Sequence, residues 1–456
     1  MAKPETNRWI YFFGEGAAEG HAGMRNLLGG KGADLAEMTR LGIPVPPGFT
    51  ITTEACLRYF EEQNRLPDEL AAAIDAAMAR LEEATGKRFG ESERPLLVSV
   101  RSGARTSMPG MMDTILNLGL SPETTLGLAN LTQDARFAWD CFRRLIQMYA
   151  HVVLGVDPGL FEKALEDCKK RGGVAEDAGL GGEVLEELSH RFLAIVQGVA
   201  GVPFPFHARE QLLGAVGAVF RSWRNERAIT YRRLHRIPHD WGTAVTVQAM
   251  VFGNRGDSSA TGVAFTRDPA TGRKEFYGEY LPNAQGEDVV AGIRTPRPLT
   301  RGMQPGGLPS LEQAMPDTYR QLTGVFHKLE SHYRDMLDVE FTVEEGRLFL
   351  LQARRGKRTG FAAVRCAVEM VEEGLIDPAT AVGRVEPEQL VQLLSPIFEP
   401  AAKEKALAEG RLLARGLNAG PGAASGRAAL SAAKVLELAA RGEKVILVRL
   451  ETSPED

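Results

Sequence analysis

A strand that empties straight into a polar, glycine- and proline-bearing loop constrains this chain more than any other feature. Leu96-Leu97-Val98 has the texture of a buried strand, and Ser-Val-Arg-Ser-Gly-Ala-Arg-Thr-Ser-Met-Pro-Gly-Met-Met-Asp-Thr follows at once, at 99–114. That stretch holds two arginines, five hydroxyl side chains, two glycines and one proline. Arginine forks, hydroxyls and closely approaching backbone N–H groups are what a polyphosphate needs. Any one of these residues alone is ordinary loop polarity. Their density at a strand end points to a binding loop.

The totals narrow the class. A chain of 456 residues with 44% hydrophobic content has room for two to four globular domains. A formal net charge of -5 provides no overall basic field of the kind nucleic-acid binders carry, while a local basic pocket for a nucleotide stays open. The 49 glycines imply frequent tight turns and close backbone approaches. Cys56, Cys141, Cys168 and Cys366 form no CxxC pair. With no signal peptide after Met-Ala-Lys-Pro they read as reduced cytoplasmic thiols. No apolar run approaches the ~18 residues of a membrane span, so no membrane partner is expected. His235 and His239 are four apart, but Pro238 between them argues against a shared helical face for zinc.

Local patterns place the candidates. A strand at 9–13 precedes Gly-Gly-Lys-Gly-Ala-Asp-Leu-Ala-Glu-Met at 29–38. A helix is predicted from about Ala33, with Lys31 just before its start, where the dipole favours anions. Thr53 is a candidate cap for a helix to about Asn64, and a second helix covers 68–85. The stretch 121–198 reads as nearly all helical. Within 134–153, Phe137, Cys141, Leu145, Met148 and Tyr149 form a stripe that reads as core. One long helix is expected at 209–234. At Trp241 the texture changes: Thr-Ala-Val-Thr-Val-Gln-Ala-Met-Val-Phe at 243–252 is a β-branched strand. Strands at 262–267, 275–280, 339–343 and 348–352 follow, with a helix at 317–336 between. Helices at 361–373 and 387–394 read as a linker.

A second cluster is Asp-Val-Glu-Phe-Thr-Val-Glu-Glu-Gly-Arg-Leu-Phe-Leu-Leu-Gln at 338–352. Asp338 and Glu340 are two apart on a strand and share a face. Taken alone they read as a solvated face. Beside substrate phosphates, such a pair is the usual way to hold Mg²⁺. Lys31, Arg101 and this acidic strand together could form a nucleotide-triphosphate site. Gly-Glu-Gly-Ala-Ala-Glu-Gly at 14–20 has the wrong spacing for a dinucleotide fingerprint. Arg255-Gly256-Asp257 reads as a chance tripeptide, and no Walker A sequence occurs.

The segments at 29–38, 100–114, 283–296 and 338–341 resemble the pyruvate phosphate dikinase family over essentially the whole chain. Met-Pro-Gly-Met-Met-Asp at 108–113 is the most specific; the similar pyruvate, water dikinase pattern lacks it. The resemblance implies a mixed α/β and α+β architecture: an ATP-grasp fold whose two lobes clasp ATP. The first lobe would be 1–120 with 206–240, interrupted by a helical insertion at 121–205. The second would be 241–360, followed by a helical linker at 361–416 and the start of a swivelling phosphohistidine domain at 417–456. A unit of that last size is too small to hold a core, so the sequence reads as a fragment of a longer chain.

By the same resemblance, Lys31 and Arg101 would hold the phosphates, and Arg105, Gly110 and Met112 would close over them. Gln248, Ala249, Met250 and Val251 would run beside the adenine at the hinge. Asp338, Glu340 and Gln352 would hold Mg²⁺ and the triphosphate, with Arg354 assisting; Glu279 is a candidate for ribose or metal. In the family a histidine of a Gly-Gly-Met-Thr-Ser-His-type motif attacks the β-phosphate of ATP, releasing AMP. Phosphate then takes the γ-phosphate as pyrophosphate, and the phosphohistidine swings to a pyruvate site in a carboxy-terminal barrel. That motif is absent from these 456 residues, and in the family it follows a Glu-Thr-Ser-Pro-Glu-Asp segment like the one at 451–456. The chain is thus expected to bind ATP and Mg²⁺ without phosphorylating pyruvate; the full-length protein is expected to be a homodimer. The rival readings are another ATP-grasp phosphotransferase, of the pyruvate, water dikinase type, and a non-catalytic nucleotide-sensing module.

Overall fold

The computed structural model describes residues 8–290, 295–301, 308–393, 398–414 and 422–449. Two compact units emerge: Met1–Arg255 with Phe349–Gln352, and Gly256–Leu348 with Ala353–Asp456. Both mix helices and sheets.

The first unit contains β1 (Ile10–Gly14), β2 (Ala17–Ala18), β3 (Gly48–Ile51), β4 (Arg88–Phe89), β5 (Pro95–Leu96), β6 (Val98–Gly103), β7 (Thr114–Leu118) and β8 (Ala244–Ala249). Six of them form an antiparallel sheet in the order β2-β1-β3-β8-β6-β7. Register sorts its residues by face. Phe49, Val247, Val98 and Val100 point into an extensive apolar core. Thr50, Thr246, Arg101 and Thr114 lie side by side in one row across four strands, on the opposite face. Gly48, Gln248 and Ser99 form the next row of that polar face, because residues two apart share a side and cross-strand partners do too.

Helix α1 (Arg25–Arg40) covers the polar face: a Cβ on Gly32 would meet Thr50 Oγ1 at 2.6 Å. Gly29, at φ 66°, interrupts its regular helical path. The apolar face is covered by α2 (Thr53–Glu61), α3 (Asp68–Thr85), α5 (Ala135–Val152) and α8 (Ala208–Ser222), with α4 (Pro122–Thr132), α6 (Pro158–Gly172) and α7 (Gly182–Ala200) packed against α5 in the same core. The all-helical stretch expected at 121–198 is thus part of one core with the sheet: Phe137, Phe161 and Phe192 join Val100 and Val247 in it.

Three local expectations are corrected. The cap of α2 is Thr52, whose hydroxyl accepts from the Ala55 N–H, while Thr53 donates its hydroxyl to the Asn26 carbonyl at 2.8 Å. The helix expected at 209–234 is two, α8 and α9 (Glu226–Leu234). The chain turns at Trp223, whose carbonyl accepts from the buried Arg232 guanidinium. The β-branched run at 243–252 does not open the second unit: β8 sits in the middle of the first sheet, and that unit runs on to Arg255.

The second sheet, of order β11-β10-β9-β12-β13, holds β9 (Ala260–Phe265), β10 (Tyr277–Pro282), β11 (Arg297–Pro298), β12 (Leu337–Glu344) and β13 (Arg347–Arg355), all from the second unit except Phe349–Gln352 of β13. The turn from β12 to β13 uses Glu345 and Gly346, at φ 48° and 81°, the left-handed pair that a two-residue hairpin loop demands. Helices α10 (Gly286–Val290), α11 (Leu311–Ala314), α12 (Pro316–Tyr333) and α13 (Gly360–Glu372) complete this part. Arg267, fully buried, ties the end of β9 to α12 and α13 through Glu330, Glu369 and Glu373. Further on, β14 (Arg427–Ala429) and β15 (Val445–Leu447) pair in parallel. Residues 415–421 and 450–456, where the expected domain start and Glu-Thr-Ser-Pro-Glu-Asp fall, lie outside the described residues, as do 291–294 of the segment at 283–296.

Candidate functional site

The basic residues gather where α1 meets the end of β6. Gly29 lies so close to β6 that a Cβ there would be 1.8 Å from the Gly103 carbonyl oxygen. The next residue, Gly30, donates its N–H to Ala104 O at 2.8 Å. This docking puts Lys31 beside Gly103, whose added Cβ would meet Lys31 Cβ at 3.6 Å. Arg101 is two residues before Gly103 and on the same face. The structure therefore brings Lys31 and Arg101 to one corner of the polar face. Arg101 Nη1 also donates to the Leu351 carbonyl at 3.4 Å, and Leu350 donates its N–H to Pro44 O at 2.8 Å. Gln352 thus ends a segment that packs within the first unit, next to the Arg101 partner.

Two hydroxyl oxygens on this face are left unspent. Thr50 Oγ1 and Thr246 Oγ1 are buried without a hydrogen-bond partner, which ordinarily costs about 1–3 kcal/mol each. Gln248 is committed: its amide donates to Pro46 O at 2.9 Å, pinning the approach to β3. Met250 lies just past β8, with its N–H on Leu97 O at 2.9 Å.

The loop after β6 rests on a small apolar cluster of its own. Ala104 and Met108 pack with Trp223, Ala228 and Ile237, and Met112 and Trp241 lie against them. The Arg105 guanidinium stands 5.2 Å from the centre of the Trp241 ring. Asp113 closes the loop: its N–H donates to Ser222 Oγ at 3.4 Å, and its carboxylate accepts from Asn225 at 3.3 Å and from Arg227. Of the three residues expected to close over phosphates, Gly110 is exposed at the tip with φ 69° and open space around it. Met112 serves as packing, and Arg105 is stacked.

The acidic residues belong to the second unit. Val263 of β9 pairs with Glu279 on one side and Glu340 on the other, so both carboxylates share a face roughly 10 Å apart, two strand spacings. Phe265 likewise lies between Tyr277 and Asp338. Asp338, Glu340 and Glu279 are therefore on one face, with Val339, Phe341 and Val343 buried on the other. Arg354 Nε donates to Asp338 at 2.8 Å. Burial pushes the Asp338 carboxyl above its ordinary range, Arg354 opposing and Glu340 reinforcing. Burial also raises Glu279. Both groups would gain from a cation at this face. Among the described residues no three His, Cys, Asp or Glu side chains are close enough to hold a metal by themselves. This oxygen-only donor set fits a hard cation that completes its shell from elsewhere.

The family model for "Pyruvate phosphate dikinase, AMP/ATP-binding domain" matches residues 25–66, 62–305 and 307–375. The chain belongs to this family. Every candidate from Lys31 to Arg354 falls inside a matched segment of the pyruvate phosphate dikinase domain. Similar proteins include pyruvate, phosphate dikinase of Rhizobium meliloti (strain 1021), 53% identical over 98% of this chain and 50% of the relative, and that of Clostridium symbiosum, 53% identical over 98% and 50%. The chloroplastic pyruvate, phosphate dikinase 1 of Oryza sativa subsp. japonica is 49% identical over 99% and 46%. The chain spans about half the length of these relatives. No helix among the described residues is long and apolar enough to cross a membrane. Two parts of this pyruvate phosphate dikinase domain escape sequence reasoning: the Trp223–Trp241 seat under the loop, and the alignment of Glu279 with Glu340. Each depends on pairing between distant segments, for which the chain carries no local signal.

Proposed function

We propose that this chain binds ATP with Mg²⁺ in an ATP-grasp arrangement, as the nucleotide half of a dikinase. The complete protein would interconvert ATP, phosphate and pyruvate with AMP, pyrophosphate and phosphoenolpyruvate through a phosphohistidine. The observation that carries the reading is the convergence of Lys31 and Arg101 on one polar sheet corner inside a matched ATP-binding domain. Lys31 and Arg101 then oppose phosphate charge, Arg105 adds a third cation, and the loop through Gly110 and Met112 covers the phosphates. Gln248, Met250 and their neighbours flank the adenine by backbone, since the Gln248 side chain is spent on Pro46. Asp338, Glu340 and Gln352 hold Mg²⁺ and the triphosphate, with Arg354 assisting and Glu279 on ribose or metal. Bound Mg²⁺ would neutralise phosphate charge as ATP docks.

Phosphoryl transfer asks a protein for position and charge more than for covalent chemistry, and these residues supply both. The division into a first lobe, a helical part at 121–205, a second lobe and a linker at 361–416 belongs to the same reading, with the lobe boundary moved to residue 255. So do a cytoplasmic site and a homodimer of the complete protein.

Energetics are modest. A charge-assisted hydrogen bond contributes about 1.5–3 kcal/mol, and micromolar to millimolar affinity needs about 4–8 kcal/mol. Two or three such contacts with adenine burial suffice. Titration calorimetry on the full chain tests this. ATP should bind with Mg²⁺ present and much less without it, and Arg101→Ala should weaken binding by about tenfold or more. Equal affinity in the variant removes Arg101 from the site.

A further inference from the structure

We infer that Trp241 is a positioning residue that sets the Arg105 guanidinium for polyphosphate. The inference rests on the proposed ATP site and deepens it. Arg105 follows β6 by two residues, just after Ala104, whose carbonyl accepts from the Gly30 N–H, so its backbone is tethered near the sheet end while no described hydrogen bond fixes its long side chain. The indole of Trp241 supplies the missing constraint, with the guanidinium 5.2 Å from the ring centre. Stacking on an aromatic face holds a guanidinium in one plane without consuming its amino groups. Arg105 has no carboxylate partner among the described ion pairs, and its Nε is buried with no hydrogen-bond partner. An arginine fixed by an aromatic ring and unspent in hydrogen bonding is suited to meet an incoming anion.

The backbone that carries the ring is itself fixed. Gly242, at φ 66°, turns the chain directly from Trp241 into β8 through Thr243, and a Cβ there would meet Thr53 O at 3.1 Å. Just before it, the His239 carbonyl accepts from Trp223 Nε1 at 2.9 Å, and His239 Nδ1 accepts from Arg232 Nε at 3.1 Å. Arg232 lies over the Trp223 ring at 4.0 Å. The three residues 239–241 therefore stand on a buried Trp223–Arg232 base, and the loop through Met108 packs on the same cluster.

A double-mutant cycle on the full chain, read by calorimetric ATP affinity with Mg²⁺, decides this. Trp241→Leu should weaken ATP by about three- to tenfold, the range a cation–π contact spans. Trp241→Phe, which keeps a ring, should restore most of it. In an Arg105→Ala background, Trp241→Leu should cost little further affinity, because its effect passes through the arginine. Additive losses overturn the inference and leave Trp241 as packing. Should Trp241→Leu melt early, Trp241→Met fills similar space without a ring and runs the same cycle. A second readout leaves the indole in place: Arg105→Ala should shift tryptophan emission of the folded chain, and an unchanged spectrum overturns the stacking. Failure of the site itself looks different, since Arg101→Ala would then leave ATP affinity unaltered.

Discussion

At the residue scale, one glycine decides whether the basic corner exists. Gly29 is constrained twice, by a left-handed φ of 66° and by the Gly103 carbonyl 1.8 Å from where a Cβ would stand. Gly29→Ala cannot relieve both without moving α1 off β6. It should lower stability by about 1–3 kcal/mol in urea melts and displace Lys31, weakening ATP as well. Asp34, further along α1, gives a pH signature. Burial pushes its carboxyl up to about 7 from 3.8, with Arg25 opposing. Between about pH 4 and 7 the folded chain holds a proton that the unfolded chain has released. The stability linked to Asp34 is therefore full below about pH 4 and lost as pH rises towards 7. Asp34→Asn, a permanent mimic of the protonated form, should flatten the stability profile across that window. An unchanged slope in thermal melts would place the titration elsewhere.

At the element scale, local rules carry far and then stop. Helix α3 matches the expected 68–85 because periodicity and a glycine C-cap, Gly86 at φ 64°, are written into contiguous residues. The alternation of Asp338, Glu340 and Thr342 with Val339, Phe341 and Val343 likewise gives the faces of β12. Lys31, Arg101, Asp338 and Glu340 were legible as candidates because each sits in a dense local motif. The sheet that β8 joins was not, since its partners, Gly48 and Val98, are some two hundred and one hundred and fifty residues away. The α8–α9 break was hidden too, because the Arg232 guanidinium that takes the Trp223 carbonyl comes from the following helix. Arg267 is the sharpest case. Nothing near it in sequence announces Glu330, Glu369 and Glu373, yet together they join β9, α12 and α13. Arg267→Ala would leave Glu330, only 5% exposed, as an uncompensated buried charge. The expected loss is about 3–5 kcal/mol in urea unfolding. Arg267→Lys should recover only part of it, having no fork to reach three carboxylates.

At the scale of the whole molecule, the proposed site calls on charges of both signs. The first unit carries the cations Lys31, Arg101 and Arg105, and the second carries the carboxylates Asp338, Glu340 and Glu279. A cationic corner alone would bind any polyphosphate, with or without a divalent ion. An acidic face alone would repel ATP until a cation neutralised it. If one Mg²⁺-bound triphosphate satisfies both, each unit's contribution depends on the other's. Arg101→Ala and Glu340→Gln should then each weaken Mg²⁺-dependent ATP binding by about tenfold. Combined in one chain, they should cost less than the product of the single losses, because on the proposed reading both changes act on one bound Mg²⁺–ATP. Glu340→Gln should also blunt the Mg²⁺ dependence, while Arg101→Ala should leave that dependence in place at lower affinity. Strict additivity, or a Glu340→Gln chain that responds to Mg²⁺ as the parent does, would mean that the cations and the carboxylates act at separate places.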